Sequence, residues 1–388
     1  MTTTINNEHK KLNVPNLRFP EFQGEWEKSK LSDLCTFFSG GTPSSSNKDF
    51  YGGDIAFIRS GELHADSTEL FITQDGYDNS SAKMVEIGDL LLAMYGATSG
   101  DISISKIKGA INQAILCIRT NQNKKFIESV WNKHVSKILR KYLQGGQGNL
   151  SADIVKGISF SFPTLEEQER IANLISLLDE RIATQNKIID KLQSLIKGIV
   201  DCTILRKGKN AIVGDVCSIS EQIRAEANID DIITVRLHGN GVCKSSAENL
   251  QLGATQYYRR RAGQLIYGKQ NFHNGAIGIV PISLDNGITS KDIPSFDIDE
   301  MKCNSVYLLA QLQSPQYYKP AEALTTGTGS KRLKEETFLK MPIVLPNKRE
   351  QDNIAVLIHR ASMNLDHAKR LLELLSIQKQ FLLRQMFI

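Results

Sequence analysis

Side chains able to offer hydrogen-bond donors and acceptors to base edges recur on Gly-, Asn- and Ser-punctuated stretches of this chain. In the first half they are Lys48, Arg59, His64, Tyr95, Gln113, Gln147 and Asn149. In the second they are Arg236, His238, Lys269, Gln270, Asn271 and His273. Cations that would hold phosphates are Arg259, Arg260, Arg261, Lys331 and Arg332. Residues of these types on loops suit sequence-specific reading of DNA, with base contacts specifying and phosphate contacts positioning. Taken singly, each would serve equally well as a helix cap, a turn former or a surface cation. Two loops strengthen the set. YGATSG (Tyr95 to Gly100) and YGKQNFHNG (Tyr267 to Gly275) both begin Tyr-Gly and end in Gly, with differing middles. A variable loop between matched strands suits readout.

Residues for catalysis do not assemble. GTGSK (Gly327 to Lys331) is Gly-rich but lacks the Walker spacing, in which Gly-Lys-Ser/Thr opens a helix. Glu300-Met301-Lys302 resembles the tail of a nuclease carboxylate motif, but its upstream partner would be Asp285 on a loop-like segment. There is no Gly-x-Gly-x-x-Gly, no Asn/Asp-Pro-Pro-aromatic segment, and no Ser-His-Asp or metal constellation. The six cysteines (35, 117, 202, 217, 243 and 303) form no Cys-x-x-Cys pair and read as free thiols of a reducing compartment. The expectation is a binding protein with no catalytic residue, metal or cofactor of its own.

The chain has 388 residues, 41% hydrophobic and 23% charged, which is ordinary globular composition for two or three domains. No apolar run is long enough to span a membrane, and the polar start MTTTINNEHKKLN is unlike a signal peptide, so a cytoplasmic protein is expected. Net charge is +5, too mild to identify a partner by itself. Its distribution is uneven. Lys124 to Lys141 holds six Lys/Arg against one Glu, and Arg259 to Arg261 and Lys331 to Lys334 are further clusters. A single such cluster commonly forms a solvated face.

The elements that must position these residues repeat. FPTLEEQERIA begins at Phe162 and LPNKREQDNIA at Leu345; Pro163 and Pro346, like Gln168 and Gln351, stand 183 residues apart. A long helix follows each, and a Glu-Gln pair sits in its first turn (Glu167-Gln168, Glu350-Gln351). Those pairs are expected to cap the helix and complement its dipole, or else to meet a partner. Before each helix lies a β-rich globule. Residues 1–25 read as a tail that adheres before a first strand at Leu31 to Phe38. A helix is expected at Phe126 to Leu143. AIVGDVCSI parallels KLSDLCTF, and AGQLIYGKQNFHNGAIGIV (Ala262 to Val280) parallels IGDLLLAMYGATSGDISIS (Ile87 to Ser105), with Gly88 on Gly263 and Gly100 on Gly275. The chain is therefore a tandem duplication of globule plus helix.

Each helix carries an apolar seam at alternating steps of four and three, the coiled-coil spacing. In the first it is Ile171, Ile175, Leu178, Ile182, Gln185, Ile189, Leu192, Ile196, Ile199 and Thr203. Adding the offset gives Ile354, Ile358, Ala361, Leu365, Ala368, Leu372, Leu375, Lys379, Leu382 and Met386. Gln185 and Lys379 are candidates for fixing register. A helix of about 40 residues spans about 60 Å. A parallel pair would force the second globule to reach across that length, so an antiparallel pair is expected, with the globules at opposite ends. Twofold-related modules read two half-sites of DNA at a fixed separation, and a rigid rod between them would act as a ruler.

At this point the chain resembles a known family. GGTPSSSNKDFYGGDIAFIRSGEL (Gly40 to Leu63), LRFPEFQGEWE and the doubled Pro-x-x-x-Glu-Gln-x-x-Ile-Ala pattern are similar to type I restriction-modification specificity subunits. The resemblance covers nearly the whole chain, though no GGTPS-like segment follows Ser218. It implies an α+β fold: two pseudo-symmetric target-recognition domains separated by a long antiparallel two-helix coiled coil. The corresponding boundaries are a tail at 1–25, recognition domains at 26–164 and 206–346, and spacer helices at 165–205 and 347–388. It also implies a non-catalytic subunit that reads a bipartite target on double-stranded DNA. Two methyltransferase subunits using S-adenosylmethionine would dock on it, joined by restriction/translocase subunits using ATP and Mg2+. The alternatives are a stand-alone nuclease or methyltransferase, or a coiled-coil adaptor that does not bind DNA.

Overall fold

A computed structural model describes residues 13–143, 149–205, 209–245, 255–327 and 331–388. Gln147, one of the candidate readers, lies outside the described residues. The chain divides into two units. One comprises residues 1–184 and 372–388, the other residues 185–371.

Unit 1 begins with a segment from Asn13 that is docked rather than trailing. Arg18 donates to the Glu167 carboxylate from Nε (2.8 Å) and Nη2 (2.7 Å), and Leu17 N–H donates to Gln385 O (2.9 Å). Then come β1 (Glu27–Lys30), α1 (Leu31–Leu34), β2 (Cys35–Ser39), β3 (Tyr51–Ile58), β4 (Phe71–Ile72), α2 (Gln74–Asp78), β5 (Lys83–Val85) and β6 (Leu90–Ala93). They are followed by β7 (Ile102–Ile104), β8 (Gly109–Ile111), β9 (Ile115–Thr120), α3 (Lys124–Leu143), α4 (Ala152–Gly157) and β10 (Ser159–Phe162). The single strand expected at Leu31 to Phe38 is instead a helical turn followed by β2. Fully buried Leu31 donates to Ile158 O (2.9 Å), so the chain turns there before it can enter the sheet.

One sheet has the order β2-β9-β6-β7 and a second β4-β3-β8-β5. Side chains on a strand alternate between faces. Leu90 and Leu92 of β6 accordingly join a core with Phe126 and Trp131 of α3, while Leu91 and Ala93 join another with Ile58, Val85 and Ile111. A central strand buried on both faces explains the unbroken apolar run LLLA.

α5 (Leu165–Leu205) leads into unit 2. That unit holds β11 (Lys209–Ile212), β12 (Cys217–Ile219), β13 (Arg224–Ala225), β14 (Ile233–Val235), β15 (Val242–Lys244), β16 (Tyr257–Arg259) and β17 (Leu265–Tyr267). Next are β18 (Ile277–Ile279), β19 (Ile288–Ser290), β20 (Ser295–Ile298), α6 (Ser305–Leu312), α7 (Pro315–Tyr318), α8 (Glu335–Leu339), β21 (Pro342–Leu345) and α9 (Lys348–Met386). The sheet β12-β20-β17-β18 repeats the order of the first sheet of unit 1. Leu265 and Tyr267 enter one core and Ile266 another, the same alternation as β6.

Both long helices belong partly to each unit. In unit 1, Ile171, Ile175 and Leu178 of α5 are buried, as are Leu375 and Met386 of α9; Ile182, Leu372, Lys379 and Leu382 are half-buried. Early α5 and late α9 share the core that holds Trp26 and Phe126. In unit 2, Gln185 and Ile189 are buried with Ile354, Ile358, Ala361 and Ala368, and Leu192, Ile196, Ile199 and Leu365 are half-buried. Late α5 and early α9 share the core of Tyr267 and Phe296. Pairing early with late in each unit makes the helices antiparallel. Two polar groups sit in the seam. Gln185 Nε2 donates to Ala368 O (3.0 Å), and Lys379 Nζ lies 2.5 Å from Asp179 Oδ1. The side chain of Thr203 is outside the described set.

Candidate nucleic-acid interface

In unit 1 the loop from β6 to β7 is held closed. Ala93 N–H donates to Asp101 O and Gly100 N–H to Ala93 O, both at 2.8 Å. Gly100 has φ +87°, and a Cβ there would lie 2.8 Å from Val135 and 3.0 Å from Leu139 of α3. Both facts require glycine. Trp131 Nε1 donates to Gly100 O (2.8 Å), which fastens the loop to α3. Met94 N–H donates to Ala114 O (2.8 Å), and Leu150 N–H to Met94 O (2.9 Å). These bonds bring Tyr95, Gln113 and Asn149 to one edge of the sheet, all exposed. Thr42 joins them, its hydroxyl donating to Gln113 Oε1. Thr42 reaches that place because Gly40 and Gly41 pass where a Cβ would meet Ile111 O and Ser81 Oγ at about 2 Å. Thr42 was missed by sequence reasoning; the glycines before it were its signal.

The other candidates of unit 1 differ. His64 Nε2 meets Asp101 Oδ1 (2.9 Å), so it stands beside the same loop. Arg59 is paired with Glu62 (2.8 Å), whose carboxyl it holds below the usual carboxylate range. Lys48 is exposed on the turn Lys48–Phe50, which packs on α2 through Phe50 and Gly76.

Unit 2 builds the same edge. The ladder pairs Leu90 with Ile104 in unit 1 and Leu265 with Ile279 in unit 2. That register makes Tyr267 the equivalent of Leu92 and Tyr95 the equivalent of Gln270. The shared Tyr-Gly dipeptide is therefore not a shared place, which corrects the sequence reading. Tyr267 is a fully buried core residue whose hydroxyl donates to Leu333 O (3.1 Å). By the same register Leu333 N–H donates to Lys269 O (2.9 Å), repeating the Leu150-to-Met94 bond.

Lys269 is committed to structure: its Nζ lies 2.7 Å from Glu335 Oε1 and only 12% of its side chain is exposed. Gln270 and Asn271 are exposed at the edge. Phe272 is buried against Tyr267 and Phe338, and Gly275 closes the loop at φ +76°. His273 is half-buried, and its Nδ1 has no hydrogen-bond partner among the described residues. His238, at φ 59°, donates from its backbone to Asn274 O (2.8 Å). His238 also lines a groove of about 580 Å3 with Lys197 and Lys369. Arg236 is exposed, its Nε 3.1 Å from Cys243 Sγ. Lys331 and Arg332 are exposed beside Lys269 and paired with Glu322 and Asp292 (3.3 Å each).

Arg259 and Arg261 are exposed, but Arg260 is fully buried and cannot meet a phosphate. Its guanidinium donates to Thr289 Oγ1 (2.7 Å), Ser295 Oγ (2.9 Å) and Ile293 O (2.9 Å). Burial pulls its pKa down to about 10, which leaves it charged at neutral pH. It is a strut under the sheet β13-β16-β19, and Asp292 O of the same bend receives Lys269 N–H (2.9 Å).

The Glu-Gln pairs do something other than cap. Thr164 and Asn347 side chains accept from the first-turn amides. Gln168 and Gln351 are buried and reach into the globules. Gln168 Oε1 accepts from Asn123 N–H (3.1 Å) and Gln351 Oε1 from Asn304 N–H (2.8 Å). Each Nε2 donates back to the proline carbonyl before its helix, Pro163 or Pro346 (both 2.9 Å). Asn123 and Asn304 in turn cap α3 and α6. Each glutamine thus clamps the helix of a globule to the start of a long helix. Glu167 is buried under Arg18, whereas Glu350 is exposed.

Among the described residues no group of three or more His, Cys, Asp or Glu is placed to hold a metal ion. Nor is any helix there long and apolar enough to cross a membrane.

Comparison with known proteins bears on this geometry. Residues 23–194 match the family described as the type I restriction modification DNA specificity domain. The chain is 22% identical over 381 residues to the type I restriction enzyme MjaVIII specificity subunit of Methanocaldococcus jannaschii, covering 87% of this chain and 86% of that one. It is 28% identical over 189 residues to the HindI specificity subunit of Haemophilus influenzae, covering 44% of this chain and 40% of that protein. In fold it is similar to a crystal structure of the S subunit of a type I restriction-modification system from M. genitalium. The TM-score is 0.64 at 12% identity, over 97% of this chain and 99% of that one.

Proposed function

The chain belongs to the DNA specificity subunits of type I restriction-modification systems, and on that premise we propose that each unit reads one half of a bipartite target. The observation that carries this reading is the repeated edge. One ladder register and one backbone bond recur in both units, and Tyr95, Gln113 and Asn149 occupy in unit 1 the edge that Gln270, Asn271 and Arg332 occupy in unit 2. An identical frame presenting different side chains suits two different half-sites, since direct readout depends on side-chain donors and acceptors. The antiparallel helices would set the gap between the halves.

Catalysis belongs, in this proposal, to partners. Two methyltransferase subunits using S-adenosylmethionine would dock on the long helices, and restriction subunits would add ATP- and Mg2+-dependent translocation and cleavage. The late part of α9 supports the docking. Leu374, Ile377 and Phe381, at steps of three and four, are each at least 55% exposed. An apolar stripe of that kind fits a partner helix.

The test is co-expression with a methyltransferase subunit and mapping of methylated adenines. A split motif for the complex and no methylation by the isolated chain are expected. Methylation or cleavage by the isolated chain would make it an enzyme and end this reading.

A further inference from the structure

α3 runs beside the reading edge of unit 1 and has two unlike faces. Phe126, Val130, Trp131 and Ile138 are buried in the core. Lys137, Arg140 and Lys141 are exposed on the turns that follow Trp131, where Val135 and Leu139 pack on Gly100. Lys137 and Lys141 rise about 6 Å apart on one side of the helix.

These cations are not neutralised by a neighbouring carboxylate, as several others are. Arg59, Lys106, Lys108, Arg119, Lys125, Lys331 and Arg332 each hold a carboxylate within 4 Å. Lys137, Arg140 and Lys141 have no ion-pair partner among the described residues; Lys141 lies over the Tyr142 ring at 5.1 Å. One turn earlier, Lys133 is held below the ordinary lysine range by burial and then by the charge of Lys137. That repulsion is what a bound anion would relieve. The matching helix of unit 2, α6, is SVYLLAQL and carries no cation at all.

We propose that the outer face of α3 is a track for DNA phosphates, with Lys137, Arg140 and Lys141 gripping the backbone of the duplex whose bases meet the Tyr95–Gly100 edge. The inference rests on the DNA-reading role proposed above and adds an asymmetry to it. A helical grip of this kind belongs to unit 1, because the matching helix of unit 2 carries no cation. An acidic protein would answer the same charges. DNA is favoured because the face adjoins the edge where Tyr95, Gln113 and Asn149 meet.

Phosphate contact needs no knowledge of the target. The complex of the full chain with its methyltransferase subunit is titrated with a duplex of random sequence at several salt concentrations. Each phosphate released from its counterions contributes about 0.9 to the slope of log K against log salt. The variant K137Q/R140Q/K141Q is expected to lower that slope by about 2 to 3, and K137Q alone by about 1. The methylated motif and co-purification of the methyltransferase subunit should stay as in the wild type. An unchanged slope overturns the track, as does loss of the methyltransferase subunit, which would make the face a protein dock. Failure of the wild-type complex to bind any duplex would instead overturn the DNA-reading role itself.

Discussion

The two reading edges share a skeleton and differ in what braces it. In unit 1 the loop after β6 is fastened by the Trp131 indole on a 20-residue helix. In unit 2 the loop after β17 is fastened from within, by Phe272 set between Tyr267 and Phe338. Beside the strands the contrast is sharper. Asp89 accepts from Arg119 Nη2 (2.7 Å), while at the same two ladder positions Gln264 donates to Asp297 Oδ1 (2.8 Å). The acid has changed sides. In unit 1 burial would raise the Asp89 pKa, but hydrogen bonds from Arg119 and the Glu86 amide, with the charges of Arg119 and Lys124, together outweigh it and hold the carboxyl below its usual range. Main-chain bonds were kept through divergence, and the side chains supporting them were exchanged in sets. A position in one unit therefore says little about the residue at that position in the other.

The largest effect that would break the comparison is expected at Arg260. Among the described residues of unit 1 no Lys or Arg is buried in this way. Arg260→Ala takes the guanidinium from Thr289 Oγ1, Ser295 Oγ and Ile293 O, the last keeping its bond from Thr289 Oγ1 (3.0 Å), and removes a packed side chain, at a cost of about 3 to 5 kcal/mol. Thermal unfolding should show unit 2 melting early with unit 1 unaffected. Methylome mapping should then show the second half-site relaxed and the first kept. Equal loss in both units would mean that they do not fold independently.

The glutamine clamps sharpen the comparison because they are alike. Gln168→Ala and Gln351→Ala each remove a buried glutamine and strand a partly buried main-chain amide and a proline carbonyl, at about 2 to 3 kcal/mol. The two losses should be alike, since each glutamine makes the same pair of main-chain bonds, and they should add within about 0.5 kcal/mol in the double variant, since the sites share no partner. Chemical denaturation of each variant measures this. A large loss at one site only would show that the motif has been kept for different reasons in the two copies.

How far these roles could be read from sequence follows from where their partners lie. The long helices were legible because a seam is a local period: α5, Leu165–Leu205, contains the whole seam that the spacing gave, Ile171 to Thr203. The two globules were legible through the glycines that their loops require. Arg260 was not. In Arg259-Arg260-Arg261 it looks like part of a surface cluster, and its acceptors stand about thirty residues downstream. The clamps were misread as caps for the same reason, because Asn123 and Asn304 lie more than forty residues upstream of their glutamines. The Tyr-Gly match misled because identical dipeptides outweighed the glycine offset, and only the ladder register decides between them.

A smaller effect is expected at the edge of unit 2. Gln270→Ala and Asn271→Ala remove exposed side chains that make few bonds to the protein, so stability should move by less than about 0.5 kcal/mol. Each lost bidentate base contact should cost about 1 to 3 kcal/mol of discrimination at one base pair of the second half-site. Competition binding with single-base variants of the mapped target measures it. Uniform weakening across all variants would place these side chains on phosphates instead.

The smallest effect concerns the seam, where the units again differ. Unit 2 uses a neutral hydrogen bond, Gln185 to Ala368, and unit 1 uses charges, with Asp179 between Lys379 and Lys125. Burial by itself would raise the Asp179 pKa, but hydrogen bonds and charge from the two lysines outweigh it, and the carboxyl is held below its usual range. A carboxyl with a depressed folded pKa stabilises the fold above its unfolded value, about 3.9, and loses that contribution as pH falls through the folded value. The seam of unit 1 should therefore weaken below about pH 4, and that of unit 2 should not respond through Gln185. Asp179→Asn should lower stability at neutral pH and flatten the acid limb of the stability profile. The change should be modest, because 27% of the Asp179 side chain is exposed and part of its pairing is screened by solvent. Denaturation midpoints taken from pH 3 to 7 for the wild type and this variant separate the two designs. If the acid limb of Asp179→Asn matched that of the wild type, the charged lock would contribute nothing, and the apolar positions alone would hold the register.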